Sequence, residues 1–224
     1  MPGRAEGPRV LCVDDDRDIA EIVQAVLTDE GYSVSCLYDL ADNGLRRAVG
    51  RIEPDVVLLD GIDSTGYGKG WDIAAELTAR SRAVPVVMFT AHHAAVAEAR
   101  KGTSQRATDA GFAAVVEKPF LLDDLLMAVS RAAGRSRPFD RSRRAENART
   151  KALVEALTRH RARDIRPSKM REWVLFRDAR NRIVQLYWWQ QRGVYQVGRY
   201  DESGRMRMVN QFVELDAAIE FALP

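Results

Sequence analysis

Four apolar runs in the first 120 residues each close on a polar residue, and that recurrence limits the folds open to this chain. Arg9-Val10-Leu11-Cys12-Val13 runs into Asp14-Asp15-Asp16, and Asp55-Val56-Val57-Leu58-Leu59 runs into Asp60. Val84-Pro85-Val86-Val87-Met88-Phe89 runs into Thr90-Ala91, and Ala113-Ala114-Val115-Val116 into Glu117-Lys118-Pro119-Phe120. Such runs are the pattern of strands buried on both faces. In a parallel sheet with helices between the strands, all four ends lie on one edge. The chain therefore gathers carboxylates, a hydroxyl and a lysine at one point, a setting suited to a divalent cation and a phosphoryl group.

Helical stripes separate these runs. Ile19, Ile22, Val23, Val26 and Leu27 mark a helix over 17–30, which Gly31 stops. Val34 to Leu37 reads as a short strand, 41–49 and 71–80 as helices, and 123–133 as a closing helix built on Leu125, Leu126 and Val129. Strand and helix alternate five times, so the expected fold is a doubly wound α/β domain around a five-stranded parallel sheet with right-handed crossovers. Cys12 and Cys36 both fall inside strands and read as small apolar residues rather than a disulfide or metal pair.

Charge divides the chain. Residues 1–138 carry 16 Lys+Arg against 21 Asp+Glu, and residues 139–224 carry 18 against 11. An acidic front and a basic back suggest two modules, with a polyanion or plain solvent facing the second. No apolar run approaches the roughly 20 residues of a membrane span, and the first residues form no hydrophobic signal segment. The expectation is a cytoplasmic protein without a membrane partner.

The chemistry of the four strand ends is specific. Magnesium takes hard oxygen ligands, which Asp14, Asp15 and Asp60 can supply. Crowded carboxylates repel one another unless a cation or Lys118 compensates. A carboxylate is a competent nucleophile toward phosphorus, and an ammonium beside it neutralises phosphoryl charge. Bland readings stand beside this one: Asp14-Asp15-Asp16 as a helix cap, Thr90 as a helix start, Lys118 as a surface charge. They do not explain the convergence. The set Asp14-Asp15, Asp60, Thr90-Ala91 and Lys118-Pro119-Phe120 resembles the receiver domain of bacterial two-component response regulators, whose fold is flavodoxin-like. The resemblance covers residues 8–133. It implies that Asp60 accepts a phosphoryl group from a sensor histidine kinase. It implies further that Asp14, Asp15, Asp60 and the backbone carbonyl of Ile62 hold Mg²⁺, that Thr90 is a switch hydroxyl and that Lys118 binds the phosphoryl group. On this reading the chain is a signal-transduction protein in transcription regulation, not an enzyme in its own right.

Three features depart from that family's pattern. Val115 stands where the family carries an aromatic residue, which bears on the coupled threonine–aromatic switch. The loop 61–70 is glycine-rich and lacks the usual Met-Pro turn. The stretch His92 to Gly111 is long for one helix, and Lys101-Gly102-Thr103-Ser104 reads as a break with Ser104 capping a second turn of helix. The adjacent His92 and His93 point apart on a helix and are expected as a solvated pair rather than metal ligands.

A basic, breaker-rich stretch at 134–144 and a helix at 145–163 form a linker region over 134–166. Residues 167–224 read as a small α+β output domain. Strands at 173–176, 183–189, 194–200 and 206–212 make an antiparallel meander, with a helix at 215–223. Gly204 supplies positive φ to the turn after Asp201. The region shows no helix-turn-helix pattern and no cyclase, kinase or metal-phosphatase motif. Residues 195–223 distantly resemble the sheet-plus-helix DNA-binding domains of phage-integrase arms and plant ethylene-response factors. A DNA-binding output would use Arg192, Arg199, Arg205 and Arg207 on a sheet face. A protein-interaction or homodimerisation output would use Tyr187, Trp188, Tyr195 and the preceding helix. Alternation puts Tyr187 and Trp189 on one face and Trp188 on the other, so at least one large aromatic is expected to face outward or meet a partner.

Overall fold

The computed structural model describes residues 7–38, 44–60, 69–80, 83–134, 148–168, 173–189 and 192–223. The chain forms two compact units. One comprises Met1–Lys118 and Leu126–Pro138, the other Pro119–Leu125 and Phe139–Pro224.

The first unit is built on β1 (Arg9–Val13), β2 (Ser33–Leu37), β3 (Val56–Leu59), β4 (Val86–Thr90) and β5 (Ala114–Glu117), all parallel in the order β2-β1-β3-β4-β5. That order places the switch point between β1 and β3, where the open-sheet rule locates a ligand at the carboxyl ends of the strands. Helices α1 (Arg17–Asp29), α2 (Gly44–Ile52), α3 (Lys69–Thr78), α4 (His93–Lys101), α5 (Gln105–Ala110) and α6 (Leu122–Ala132) connect or follow the strands. Both faces of the sheet are apolar because both are covered. On one, Leu11, Val13, Val57, Leu59, Val86 and Met88 pack with Leu45, Val49, Trp71 and Leu77 from α2 and α3. The expected break after α4 is present: Gly102 ends the helix at φ 63°, and the Ser104 hydroxyl accepts the Ala107 N–H to start α5. A left-handed residue costs little only where a Cβ is missing, which is why glycine stands there.

In the second unit, α7 (Ala148–Arg159) is followed by a single antiparallel sheet. Its strands are β6 (Arg163–Pro167), β7 (Trp173–Arg177), β8 (Ile183–Trp189), β9 (Val194–Tyr200) and β10 (Met206–Phe212), in sequence order across the sheet, and α8 (Leu215–Ala222) closes it. The sequence pattern led us to expect four strands and a separate linker helix. Instead β6 adds a fifth strand at the edge, and α7 belongs to the core of this unit. Its Leu153, Ala156 and Leu157 pack with Val174, Phe176, Val184, Leu186 and Val197 of the sheet and with Ala218, Ile219 and Ala222 of α8. The opposite parity of the strands carries Trp173, Gln185, Tyr187 and Gln196, all buried. Trp173 stacks on Tyr187 at 5.3 Å and on Phe120, which belongs to the same unit, at 5.7 Å.

Tyr187 and Trp189 are buried and Trp188 is half-buried at 4.7 Å from Tyr195, so β8 presents no fully exposed aromatic. One expectation about this sheet is overturned. Arg199 is only 4% exposed. Its guanidinium lies 4.6 Å from the Phe221 ring and donates to the Phe221 carbonyl at the end of α8. The last carbonyls of a helix lack partners of their own, so a buried cation there satisfies the helix end. Arg199 is thus a strut between β9 and α8, not a surface contact. Arg199→Ala removes a charge-assisted bond and strands that carbonyl, and we expect a loss of about 1–3 kcal/mol, read as a lower urea midpoint of the full chain; an unchanged midpoint refutes the strut.

Candidate functional site

The sheet ladder itself delivers the polar residues. Asp14 is the first residue beyond β1, and its N–H donates to the Leu37 carbonyl of β2 at 3.0 Å. Asp60 follows β3, and its N–H donates to the Val13 carbonyl at 2.9 Å; Lys118 follows β5 and donates to the Thr90 carbonyl at 2.8 Å. Thr90 is the last residue of β4. Asp14, Asp60 and Lys118 therefore each stand one step past the end of a strand, and Thr90 on the last residue of one, held in register by backbone hydrogen bonds to neighbours.

At this edge the Lys118 ammonium bonds two carboxylates at once, Asp14 Oδ2 at 2.6 Å and Asp60 Oδ2 at 3.1 Å, and lies 4.7 Å from the Phe89 ring. Lys118 and Asp14 are 3% and 1% exposed, whereas Asp15 is exposed and Asp60 half-buried. Burial alone would lower the Lys118 pKa, but Asp14 and Asp60 outweigh it and raise the group above its ordinary 10.5. Burial pushes the Asp14 carboxyl up to about 6 against the pull of Lys118. Carboxylate oxygens of Asp14, Asp15 and Asp60 lie within 4.8 Å of one another. Three carboxylates with one ammonium leave an excess of negative charge, and an all-oxygen donor set of this span fits a hard divalent cation.

The remaining sequence-derived residues fall into place around this centre. Thr90 is buried, and its hydroxyl oxygen accepts the His92 N–H at 3.3 Å. The capping reading of the acidic cluster holds for Asp16 alone, whose carboxylate accepts the N–H groups of Asp18 and Ile19 at the start of α1. Asp14 and Asp15 remain with Asp60. Ile62 and most of the glycine-rich loop lie outside the described residues. Val115 is half-buried against the core. His92 and His93 do diverge: His92 caps α4 by accepting the Ala95 N–H, and His93 pairs with Glu117, which also binds Arg100. The part of the site that sequence reasoning missed is Phe89. It read as one more apolar strand residue, and its parity beside Thr90 was the only available signal.

In the second unit the candidate arginines separate. Arg205 and Arg207 follow the turn between β9 and β10, with Arg207 bound to Asp201 at 3.1 Å, and both are exposed. Gly204 has φ 77° in that turn, as expected. Arg192 is exposed beside the opposite end of β9 and lies 3.9 Å over the Trp189 ring. The turn between β7 and β8, with exposed Arg180, shares the end of the sheet that carries Arg205 and Arg207. Arg199 is absent from that surface for the reason already given.

Comparison with known proteins agrees with this geometry. The family model for the response regulator receiver domain matches residues 10–130, more than half of the chain. This chain belongs to that family, and those residues are a two-component receiver domain. It is 29% identical over 159 residues to the response regulator MprA of Mycobacterium leprae, covering 69% of this chain and 64% of that protein. It is 32% identical over 126 residues to the nitrogen assimilation regulatory protein NtrX of Azorhizobium caulinodans, covering 55% and 25% respectively. It is 32% identical over 146 residues to the transcriptional regulatory protein TcrA of Mycobacterium tuberculosis, covering 62% and 51%. The chain thus spans between a quarter and about two thirds of the length of these relatives. Among solved structures, the receiver domain of NtrX from Brucella abortus is 28% identical with a TM-score of 0.46, covering 57% of this chain and 99% of that one. Chemotaxis response regulator CheY4 of Vibrio cholerae is 23% identical with a TM-score of 0.46, covering 56% and 98%. No helix among the described residues is long and apolar enough to cross a membrane.

The Asp14 environment sets a sign for stability. Its folded pKa of about 6 exceeds the ordinary 3.8, so the folded state binds that proton more tightly than the unfolded chain. Ionisation then opposes folding, with no effect below pH about 4 and the full effect above about 6, on the order of 2–3 kcal/mol. Asp14→Asn, which keeps the Lys118–Asp60 bond, should stabilise the cation-free protein at pH 7 and lose that advantage at pH 4. Urea midpoints at the two pH values test this, and a variant less stable than wild type at pH 7 contradicts it.

Proposed function

We propose that Asp60 accepts a phosphoryl group from the phosphohistidine of a sensor kinase in a Mg²⁺-dependent reaction, and that the state of Asp60 controls the second unit. One observation carries this reading: Lys118 binds Asp14 and Asp60 together, with Asp15 close enough to complete an oxygen cage. Asp14, Asp15 and Asp60 would hold the cation, which supplies positive charge to the phosphoryl oxygens as they transfer. A carboxylate oxygen of Asp60 attacks phosphorus while the histidine nitrogen leaves. Lys118 is already within bonding distance of the attacked carboxylate, so it follows the transferred group without rearrangement. The Thr90 hydroxyl, at the end of the adjacent strand, offers a donor to the new oxygens.

For the second unit we propose contact with double-stranded DNA through one end of the sheet. β8 and β9 are buried or half-buried on both faces, so the sheet offers no open face along these strands. Arg180, Arg205 and Arg207 are exposed together at the end formed by two turns, in a region where 18 basic residues face 11 acidic ones. Phosphate contacts by such a cluster give affinity that falls steeply with salt. The transcriptional role borne in the name of the mycobacterial relative TcrA is consistent with this output. The competing reading, a protein-interaction or dimerisation module, draws on the pairing of Arg207 with Asp201, which removes part of that free charge.

Incubation with a small phosphodonor and Mg²⁺ should add one phosphoryl group mapping to Asp60, and Asp60→Asn should abolish it; equal labelling of the variant refutes the assignment. Because Val115 has no ring to fill space vacated by Thr90, phosphorylation should leave amide exchange over residues 111–118 little changed, and strong new protection there contradicts this. Arg205→Ala and Arg207→Ala should each flatten the salt dependence of DNA binding by roughly one unit, whereas Arg192→Ala at the other end should not. A chain that ignores DNA at low salt favours the protein-partner reading.

A further inference from the structure

The chain contains two cysteines, and the fold places them side by side. Cys12 on β1 and Cys36 on β2 are direct partners in the parallel register. Neighbouring strands lie about 4.8 Å apart, inside the roughly 4.4–6.8 Å range of Cα separations that a disulfide spans. Partners in register project to the same face of the sheet. Both are free. They differ in access: Cys12 is fully buried, whereas Cys36 sits half-buried on the edge strand, its sulfur 3.7 Å from the Ala20 carbonyl of α1. Two thiols read from the sequence as small apolar residues are thus neighbours across the ladder, one fully buried and one half-buried.

We infer that Cys12 and Cys36 form a reversible oxidation site that takes a hydroperoxide as oxidant and closes to an intramolecular disulfide. Cys36, the less buried of the two, attacks one peroxide oxygen. The O–O bond breaks, water leaves, and Cys36 becomes a sulfenic acid. Cys12 then attacks the Cys36 sulfur. The S–S bond forms as the S–O bond breaks, and the Cys12 proton leaves with the hydroxyl as a second water. Two thiols are oxidised, one hydrogen peroxide is reduced to two waters, and a low-molecular-weight dithiol reverses the change by exchange. The bond ties the two strands one pair before their last registered partners, Val13 and Leu37, next to the hydrogen bond from Asp14 to Leu37. This site is independent of phosphoryl transfer at Asp60.

The test uses the full chain. After hydrogen peroxide treatment, free thiols are alkylated in denaturant and tryptic peptides are mapped without reductant. Both thiols should disappear in parallel. The peptides 10–17 and 18–46 should appear joined, with a mass two hydrogens below their sum, and dithiothreitol should restore both thiols. Cys12→Ala should stop at a dimedone-reactive sulfenic acid on Cys36, and Cys36→Ala should leave Cys12 unreactive while the protein stays folded. If either variant fails to fold, the wild-type peptide map alone decides. Persistence of both thiols, loss of Cys36 alone to higher oxidation states, or a disulfide between two chains overturns the proposal.

Discussion

One buried ammonium organises the receiver end of this protein. Lys118 joins residues separated by 104 and 58 positions in the chain, Asp14 and Asp60. An ion pair this deep is expensive to desolvate, and losing both acids would leave the buried ammonium uncompensated. The order β2-β1-β3-β4-β5 brings the ends of β1 and β3 together at the switch point and sets β5 beyond β4. Lys118 reaches back across β4, over the Phe89 ring, to meet both acids. The apolar strands fix where the charges stand, and the single cation decides that the three acids can stand together.

The receiver fold was legible because its central strands β1, β3 and β4 are buried on both faces. A doubly covered strand cannot hide a polar residue in its middle, so each apolar run announces its length and its polar terminus announces the site. The capping serine at 104 and the glycine at 102 were legible for a different reason, since each answers a local backbone need. In the second unit three strands were also readable, and 183–189, 194–200 and 206–212 match β8, β9 and β10 residue for residue. What escaped was β6, Arg163-Asp164-Ile165-Arg166-Pro167. It is an edge strand with charged side chains, a left-handed Asp164 at φ 50° and a terminal proline, which are features that keep edges from pairing further rather than features that mark a strand.

Arg199 escaped for a subtler reason. Parity along β9 and β10 placed it with Arg205 and Arg207, and its direct partner across the ladder is Arg207. Parity assigns a face but not what covers that face. The end of α8 lies over Arg199 and supplies a carbonyl and a ring, while Arg207 turns to the acid in its own hairpin. A count of basic residues therefore overstates the cation available to a partner. Arg177 with Asp164, Arg182 with Asp178 and Arg207 with Asp201 are each engaged in pairs that shape turns or edges.

The burial of Asp14 has a consequence for how such a chain evolves. A carboxyl held at a raised pKa works against its own fold at neutral pH, so stability alone gives no reason to keep an acid at this position. Variants chosen only for surviving heat would discard it early, while the surrounding Val10, Leu11 and Val13 would persist. Sequences drifting free of their signalling role should therefore lose the acid before they lose the strand that carries it.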